Sequence, residues 1–473
     1  MTGGMARPVD QVPAAALPVA GAGARPALAA QTRALLDGPI VPTLLRLAAP
    51  SVAVMVIQAA VTTLDAYYVG WLGGDALAGV SLVFPLVMLM QTMSAGGMGG
   101  GVASAVARAL GAGRREDADG LAAHAVWIAA VMGALFTVTL LLAGPRLYVT
   151  LGGRDGALAA ALAYSRIVFG GALAYWMVNI LAAVVRGTGQ MVLPAGVMLG
   201  AGLVYLALSP ALIMGWGPLP QLGVAGAGAA SVLAFGAGAL VLGGHLVAGP
   251  GLVRLRPAAF RPRVRLFGEI LRVGAPGALN TVFTNLTVVL LTGLVGPFGA
   301  TALAGYGMGA RLEYLQIPLV FGMGSALVTM VGTNVGAGQT ARAERVAWVG
   351  AGLAAGLTGA IGLAGALFPR AWIGLFTTEP AILAVGEQYL RVVGPVYGFF
   401  GLGLALYFAS QGRGRLGWPL AAGFLRLAVA AGGGWLAIHV LGAGLPGVFV
   451  ALAVALVLFG STVAAALRLG AWR

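Results

Sequence analysis

The sequence has no cysteine, no lysine and three histidines, and only 8% of its 473 positions are charged. Each shortage excludes some chemistry. Without cysteine there is no disulfide framework, thiolate metal site or cysteine nucleophile, and without lysine there is no P-loop lysine and no Schiff base. His124, His245 and His439 fall near the ends of different expected helices with no ligands clustered around them, so each is read as an ordinary interfacial residue. No metal and no cofactor are expected. Soluble domains carry roughly a quarter charged residues, so a soluble fold is excluded as well.

What is present is apolar: 60% of the residues are hydrophobic, in recurring stretches longer than the ~18 residues that cross a ~30 Å hydrocarbon core as a helix. These stretches lack period-2 alternation. Backbone groups in lipid must be paired within the protein, so the reading is helices and not a β-barrel. Expected spans are 44–70, 77–106, 121–143, 158–183, 192–214 and 223–247, then 270–295, 303–334, 346–368, 383–409, 419–441 and 447–467. The fold class is therefore an all-α polytopic membrane protein with twelve transmembrane helices.

The formal charge of +14 comes from arginines on short connections, which argues against a nucleic-acid surface and for membrane orientation. Arg108, Arg114, Arg115, Arg186, the run Arg254 to Arg265, Arg342, Arg345, Arg413 and Arg415 all fall on alternate connections, and the intervening ones hold only Arg146, Arg154 and Arg370. The positive-inside bias makes the first set and both termini cytoplasmic, in a multi-pass inner (plasma) membrane protein. Residues 1–43, rich in Ala, Pro and Gly, read as a flexible cytoplasmic tail, and prolines and glycines interrupt its apolar stretch too often for a signal peptide. The remaining division is an N-lobe over 44–248, a basic linker over 249–269 that is placed to meet anionic lipid headgroups, and a C-lobe over 270–473.

The chain repeats itself at a separation of 224 to 226 positions. Leu45, Arg46 and Pro50 match Leu271, Arg272 and Pro276; Tyr164, Arg166, Gly187, Gly189 and Pro194 match Tyr389, Arg391, Gly412, Gly414 and Pro419. Six spans per unit is an even number, so both units start on the same side and are related by a pseudo-two-fold along the membrane normal. Parallel repeats of this kind place substrate between two six-helix lobes near the midplane, and rocking of the lobes gives alternating access.

The stretch LLRLAAPSVAVMVIQAAVTTLDAYYVGWLGGDALAGVS, followed by a glycine-rich second helix and ALGAGRRED, resembles the opening of the multidrug and toxic compound extrusion (MATE) family. The second unit is similar in GARLEYLQIPLVFGMGSALVTMVGTNVGAGQTARAERV, and VVRGTGQMVLP and FASQGRGRLGWP resemble the turns after helices 4 and 10. The likeness runs from about Leu44 to Leu467. It implies a V-shaped pair of lobes that exports amphiphilic, often cationic compounds in exchange for protons or sodium, working as a monomer and not as an enzyme.

Asp65 is the sole acid in the first span, where a lipid-facing carboxylate costs about 3 kcal/mol, so it is expected to face the bundle interior. Its repeat counterpart is Leu291, so packing alone does not require an acid there. The resemblance implies that this position carries the coupling carboxylate of the N-lobe. The helix 5 Asn and Asp of many relatives correspond to Tyr205 and Ser209, and the carboxylates that some carry in helices 7 and 10 correspond to Thr284 and Phe400. Losing those acids favours proton coupling over sodium, because a hard cation wants several oxygen ligands. Glu313, inside helix 8, is the second intramembrane acid, and Arg426 of helix 11 is its candidate partner; with Asn285 and Tyr397 these are candidates for substrate binding or secondary coupling. Tyr67, Tyr68, Trp127, Tyr175, Trp176, Tyr306 and Tyr314 are either cavity aromatics or interfacial anchors. The glycine cluster Ser94 to Gly101, partly mirrored at Gly322 to Ser325, reads as close helix packing and not as a nucleotide loop.

Rival readings are a sodium-coupled exporter, a flippase of lipid-linked sugars, a transporter of the major facilitator type and an intramembrane enzyme. The last would need a nucleophile or base with a partner, and no His-acid cluster appears in the sequence.

Overall fold

The computed structural model of the chain describes residues 30–249 and 251–472, and these are helical with short connections. A short α1 (Ala30–Asp37) precedes α2 (Ile40–Gly70). The second span is α3 (Gly74–Thr92), a π-helical turn at Met93–Met98 and α4 (Gly99–Gly111). Then come α5 (Arg115–Thr150), the bent pair α6 (Asp155–Gly170) and α7 (Ala172–Gly187), α8 (Val192–Met214) and α9 (Val224–Ala248). The second unit holds α10 (Val264–Val295), α11 (Ala300–Gly336), α12 (Thr340–Leu367), the short α13 (Pro369–Ile373), α14 (Pro380–Val393) and α15 (Tyr397–Arg413). It ends with α16 (Gly417–Ala428), a π-helical turn at Val429–Gly433, α17 (Gly434–His439) and α18 (Gly444–Arg468). Among the described residues eleven segments are long and apolar enough to span a bilayer; counting α6 and α7, bent by 46°, as one span makes twelve.

Several boundaries differ from the hydropathy reading, as in α5, which runs over Arg115–Thr150 where 121–143 is expected, and α12, which begins at Thr340 and not at 346. α2 and α10 begin at Ile40 and Val264, several residues before their apolar stretches, because a helix continues into water where side-chain pairs support it. On α10 that pair is Arg265 to Glu269 at 2.6 Å, one turn apart. The flexible tail expected over 1–43 also shortens. Residues 30–37 are α1, with Thr32, Leu35 and Leu36 buried, and the part of that expectation over 1–29 lies outside the described residues.

The duplication is visible as matched contacts. A Cβ on Gly111 would fall on the carbonyl oxygen of Thr333, and one on its counterpart Gly336 would fall on the carbonyl oxygen of Arg108, so α4 and α11 cross reciprocally about the pseudo-two-fold. Within the lobes Gly187 meets Ala103 and Val106, while Gly412 meets their counterparts Val328 and Val331. Without hydrophobic drive between helices in lipid, such close backbone approach supplies the packing energy. Each lobe has its own core: Met90, Phe169, Trp176 and Ile180 in the first, Tyr306, Tyr389, Tyr397 and Phe449 in the second. A third cluster, with Leu35, Leu44, Met330, Val331 and Val346, joins the two.

Hydrogen bonds between the lobes gather in the half that bears the arginine-rich connections. Arg108 donates to the carbonyl of Gly412 at 3.1 Å, Thr329 to that of Arg186 at 2.9 Å, and Gln411 to that of Gly96 at 3.1 Å. Two straps reinforce them. The segment before α2 is held by the opposite lobe, through Asn334 on the Leu35 carbonyl and Arg342 on the Gly38 carbonyl. The segment before α10 is held the other way, through Arg254 N–H on Asp119, Arg263 N–H on His124 and Arg265 on Asp117. Asp117 and Arg342 are counterparts in the repeat, so the first helix of each lobe is tied to the third helix of the other.

Candidate functional site

The seven candidate residues separate into two sites, one per lobe, with one residue left out. In the N-lobe Asp65 projects from α2, half-buried, and its Oδ1 accepts the hydroxyl proton of Tyr205 on α8. Ser209, one turn along α8 from Tyr205, is fully buried beside the Tyr205 hydroxyl. Tyr164 of α6 and Tyr175 of α7 lie near enough for their charges to interact with that of Asp65. Tyr175 is fixed in turn by donating to Ser231 of α9 at 2.7 Å. Four helices of one lobe thus approach a single carboxylate, which bonds to the Tyr205 hydroxyl, and a fifth, α9, fixes one of the surrounding tyrosines.

This arrangement can hold and release a proton. An ionised carboxylate only accepts hydrogen bonds, whereas a protonated one also donates. The Tyr205 hydroxyl donates in the first state, and by rotating its O–H away it can accept in the second.

In the C-lobe the position that mirrors Asp65 is the buried Leu291, and the acid comes instead from α11 as the half-buried Glu313. Arg426 of α16 is 7% exposed, donates to Thr284 Oγ1 at 3.0 Å, and lies with its guanidinium 5.2 Å from the centre of the Phe459 ring. Glu313 and Arg426 feel each other's charge but form no ion pair within 4.0 Å, so the expected partnership is electrostatic and not a contact. The fully buried Tyr397 shares a 3.4 Å hydrogen bond with Tyr389, and both interact electrostatically with Glu313. Asn285 is the residue left out: its amide donates to the Thr281 carbonyl of its own helix at 2.9 Å.

Tyr389 is the repeat counterpart of Tyr164, so each lobe sets its acid near an equivalent tyrosine although the acids come from different helices. The sequence reading matched these two tyrosines as repeat markers without giving them a role at the site. Ser231 and the Asn179 amide that donates to Ser94 at 3.0 Å were missed as well, since a lone polar residue in an Ala/Gly-rich span carries no sequence signal. Tyr67, 62% exposed, clusters with Tyr68 and Trp71 near the end of α2, as an interfacial anchor does. His124 departs from expectation. It is buried, with Nδ1 2.7 Å from the Gly120 carbonyl and Nε2 accepting from Arg263 N–H at 2.8 Å, so it is a latch on the linker and not an interfacial side chain.

Comparison with known proteins now adds to this geometry. The chain is 27% identical over 384 residues to a protein of Shewanella oneidensis called FAD transporter, covering 80% of this chain and 82% of that one. It is 28% identical over 436 residues to the multidrug resistance protein NorM of Burkholderia vietnamiensis, covering 81% and 91%. Among solved structures, an outward-facing multidrug resistance MATE family transporter superposes with a TM-score of 0.83 at 25% identity, covering 93% of this chain and 98% of that one. The sequence profile of the MatE family matches residues 50–213 and again 276–436, starting points as far apart as the two halves of the repeat. The chain therefore belongs to the MatE family, and is a multi-pass membrane transporter of small molecules and not an enzyme.

Proposed function

We propose that this protein is an antiporter that exports small amphiphilic organic compounds in exchange for protons, and that Asp65 carries the proton. The supporting observation is the N-lobe site itself: one half-buried carboxylate, met by the hydroxyl of Tyr205 and approached by Tyr164 and Tyr175. Among the described residues no second acid joins it to build an oxygen cage for sodium, which would need several hard ligands in place of its water shell. Protonation turns Asp65 from acceptor into donor, so the bond from Tyr205 must be remade. α2 transmits that change, because it also packs on the other lobe, where Gly322 lies against Val52 and Ser325 against Ser51.

With the arginine-rich connections in the cytoplasm, the joined half of the molecule faces inward and the structure represents an outward-open state. One chain supplies both lobes, so a monomer suffices. Since one relative is called an FAD transporter, FAD is worth trying in the substrate panel beside amphiphilic cations.

The test is efflux from proteoliposomes under an imposed pH gradient or an imposed sodium gradient. Wild-type protein should respond to the pH gradient, and Asp65→Asn, recovered in normal amounts, should not. Efflux driven by sodium at fixed pH and voltage, and indifferent to a pH gradient, would overturn the proton reading.

A further inference from the structure

Arg426 lies within the fifth span of the C-lobe, 7% exposed, and its surroundings leave its charge unmatched. Its Nη2 donates to Thr284 Oγ1 at 3.0 Å, and that hydroxyl donates in turn to the Asn280 carbonyl at 3.0 Å, so the threonine fixes the guanidinium without neutralising it. The Phe459 ring, its centre 5.2 Å from the guanidinium, steadies the cation and carries no charge either. Nε is buried and has no hydrogen-bond partner among the described residues. Glu313 is the acid whose charge Arg426 feels, yet the two form no ion pair within 4.0 Å, and among the described residues no other carboxylate reaches it. An ionised side chain inside a span is costly, and one without a contacting counter-charge marks the path of a ligand.

The repeat shows that this cation belongs to one lobe. At the separation of 225 that relates Pro194 to Pro419, Arg426 stands in the place of Ala201, and Ala430 in the place of Tyr205. With Leu291 in the place of Asp65, the C-lobe lacks both the carboxylate and its hydroxyl donor, and carries a cation one turn from where the donor would stand. The backbone differs at the same point. α8 runs unbroken over Val192–Met214, whereas α16 gives way after Ala428 to the π-helical turn at Val429–Gly433, a distortion frequent at functional sites.

We propose that Arg426 binds the carboxylate or phosphate of an organic anion, so that the cargo of this transporter includes aromatic anions held in the C-lobe. The inference rests on the transport reading and names a class of its substrates. A guanidinium has five N–H donors, and with one given to Thr284 the rest suffice for a bidentate oxyanion. Thr284 and Phe459 hold the group in place beforehand, which lowers the cost of ordering it on binding. Glu313 balances the charge through space, and since no bond joins the two, an entering anion has none to break. Glu313 and the anion compete for the same charge, so the two residues carry opposite signs in a test.

Purified protein in non-ionic detergent would be titrated with riboflavin 5′-phosphate and with riboflavin, the same ring system without the anion, following flavin fluorescence anisotropy. The phosphate should bind more tightly than riboflavin. Arg426→Gln should weaken it about tenfold, the worth of one hydrogen bond to a charged group, and leave riboflavin unchanged; Arg426→Lys should keep part of the preference, and Glu313→Gln should tighten the phosphate. Melting temperatures would establish that the variants are folded. Equal binding of the two flavins by the wild type, or binding of neither, would overturn the site without recourse to a variant, as would equal phosphate binding by wild type and a folded Arg426→Gln. Weaker phosphate binding by Glu313→Gln would overturn the competition, and inorganic phosphate binding as tightly as the flavin phosphate would overturn the organic ligand. None of these titrations needs a gradient, so the site can fail while pH-driven efflux of an amphiphilic cation stands, and the reverse.

Discussion

The two lobes share their packing and differ in their chemistry. Gly111 and Gly336, or Gly187 and Gly412, make the same close contacts in both halves, and Tyr164 and Tyr389 occupy equivalent positions. Yet the N-lobe brings its acid in on its first span, with hydroxyls around it, while the C-lobe fills that position with Leu291 and brings Glu313 in on its second span, facing an arginine. Duplicated backbones thus preserve what close packing demands, whereas single side chains in the lobe interiors are free to diverge. Conservative packing and divergent chemistry can therefore be tested separately.

The largest expected effect is at Asp65. Asp65→Asn should abolish coupled efflux with little loss of stability, whereas Leu291→Ala should cost about 2–5 kcal/mol of stability by opening a cavity and leave the coupling ratio intact. Melting curves beside efflux assays separate the two, and equal loss of coupling in both variants would mean that the lobes are chemically alike after all.

The next effect concerns the shared packing. Gly111→Val and Gly336→Val each force a side chain onto the backbone of the crossing helix and should destabilise the joined state by about 1–3 kcal/mol, to the same degree. With no native cysteine, spin labels on both lobes can report the separation of the arginine-rich ends. A large difference between the two variants would break the pseudo-symmetry.

Tyr205→Phe deletes the donor to Asp65 while keeping the ring, and should displace the pH profile of efflux without abolishing it. Tyr397→Phe, whose hydroxyl meets only another tyrosine, should leave that profile in place. The smallest effect is at the strap. Arg265 is mostly exposed, so Arg265→Gln should lower the melting temperature only slightly, and less as salt rises. A single cysteine at Arg261 should be labelled by an impermeant reagent only from the cytoplasmic side; labelling from outside intact cells would reverse the proposed orientation.

Much of this was legible in the chain because membrane solvent imposes strong rules. Apolar stretches of sufficient length must be helices, and a repeat marked by Arg, Tyr and Pro requires two equivalent units. Asp65 stood out for the same reason: an acid inside an apolar span is costly unless it has a function. The start of α10 was less legible, since hydropathy does not register a helix extended by the Arg265 and Glu269 pair. α1 lay hidden in a segment whose composition reads as disordered, because its buried Leu35 gains its value only in the cluster that joins the two lobes.

The sequence by itself determined the solvent, the spans, the duplication, the family likeness and the acid most worth examining, all of which follow from local composition and order. Only the tertiary structure decided which groups meet. That Tyr205 reaches Asp65, that Glu313 and Arg426 share a lobe without touching, that Asn285 turns back on its own helix, and that His124 holds the linker are products of helix rotation and crossing. Rotation of a nearly uniformly apolar helix is set by its neighbours, through glycine contacts and a few hydrogen bonds, and the periodicity of its own residues leaves it open.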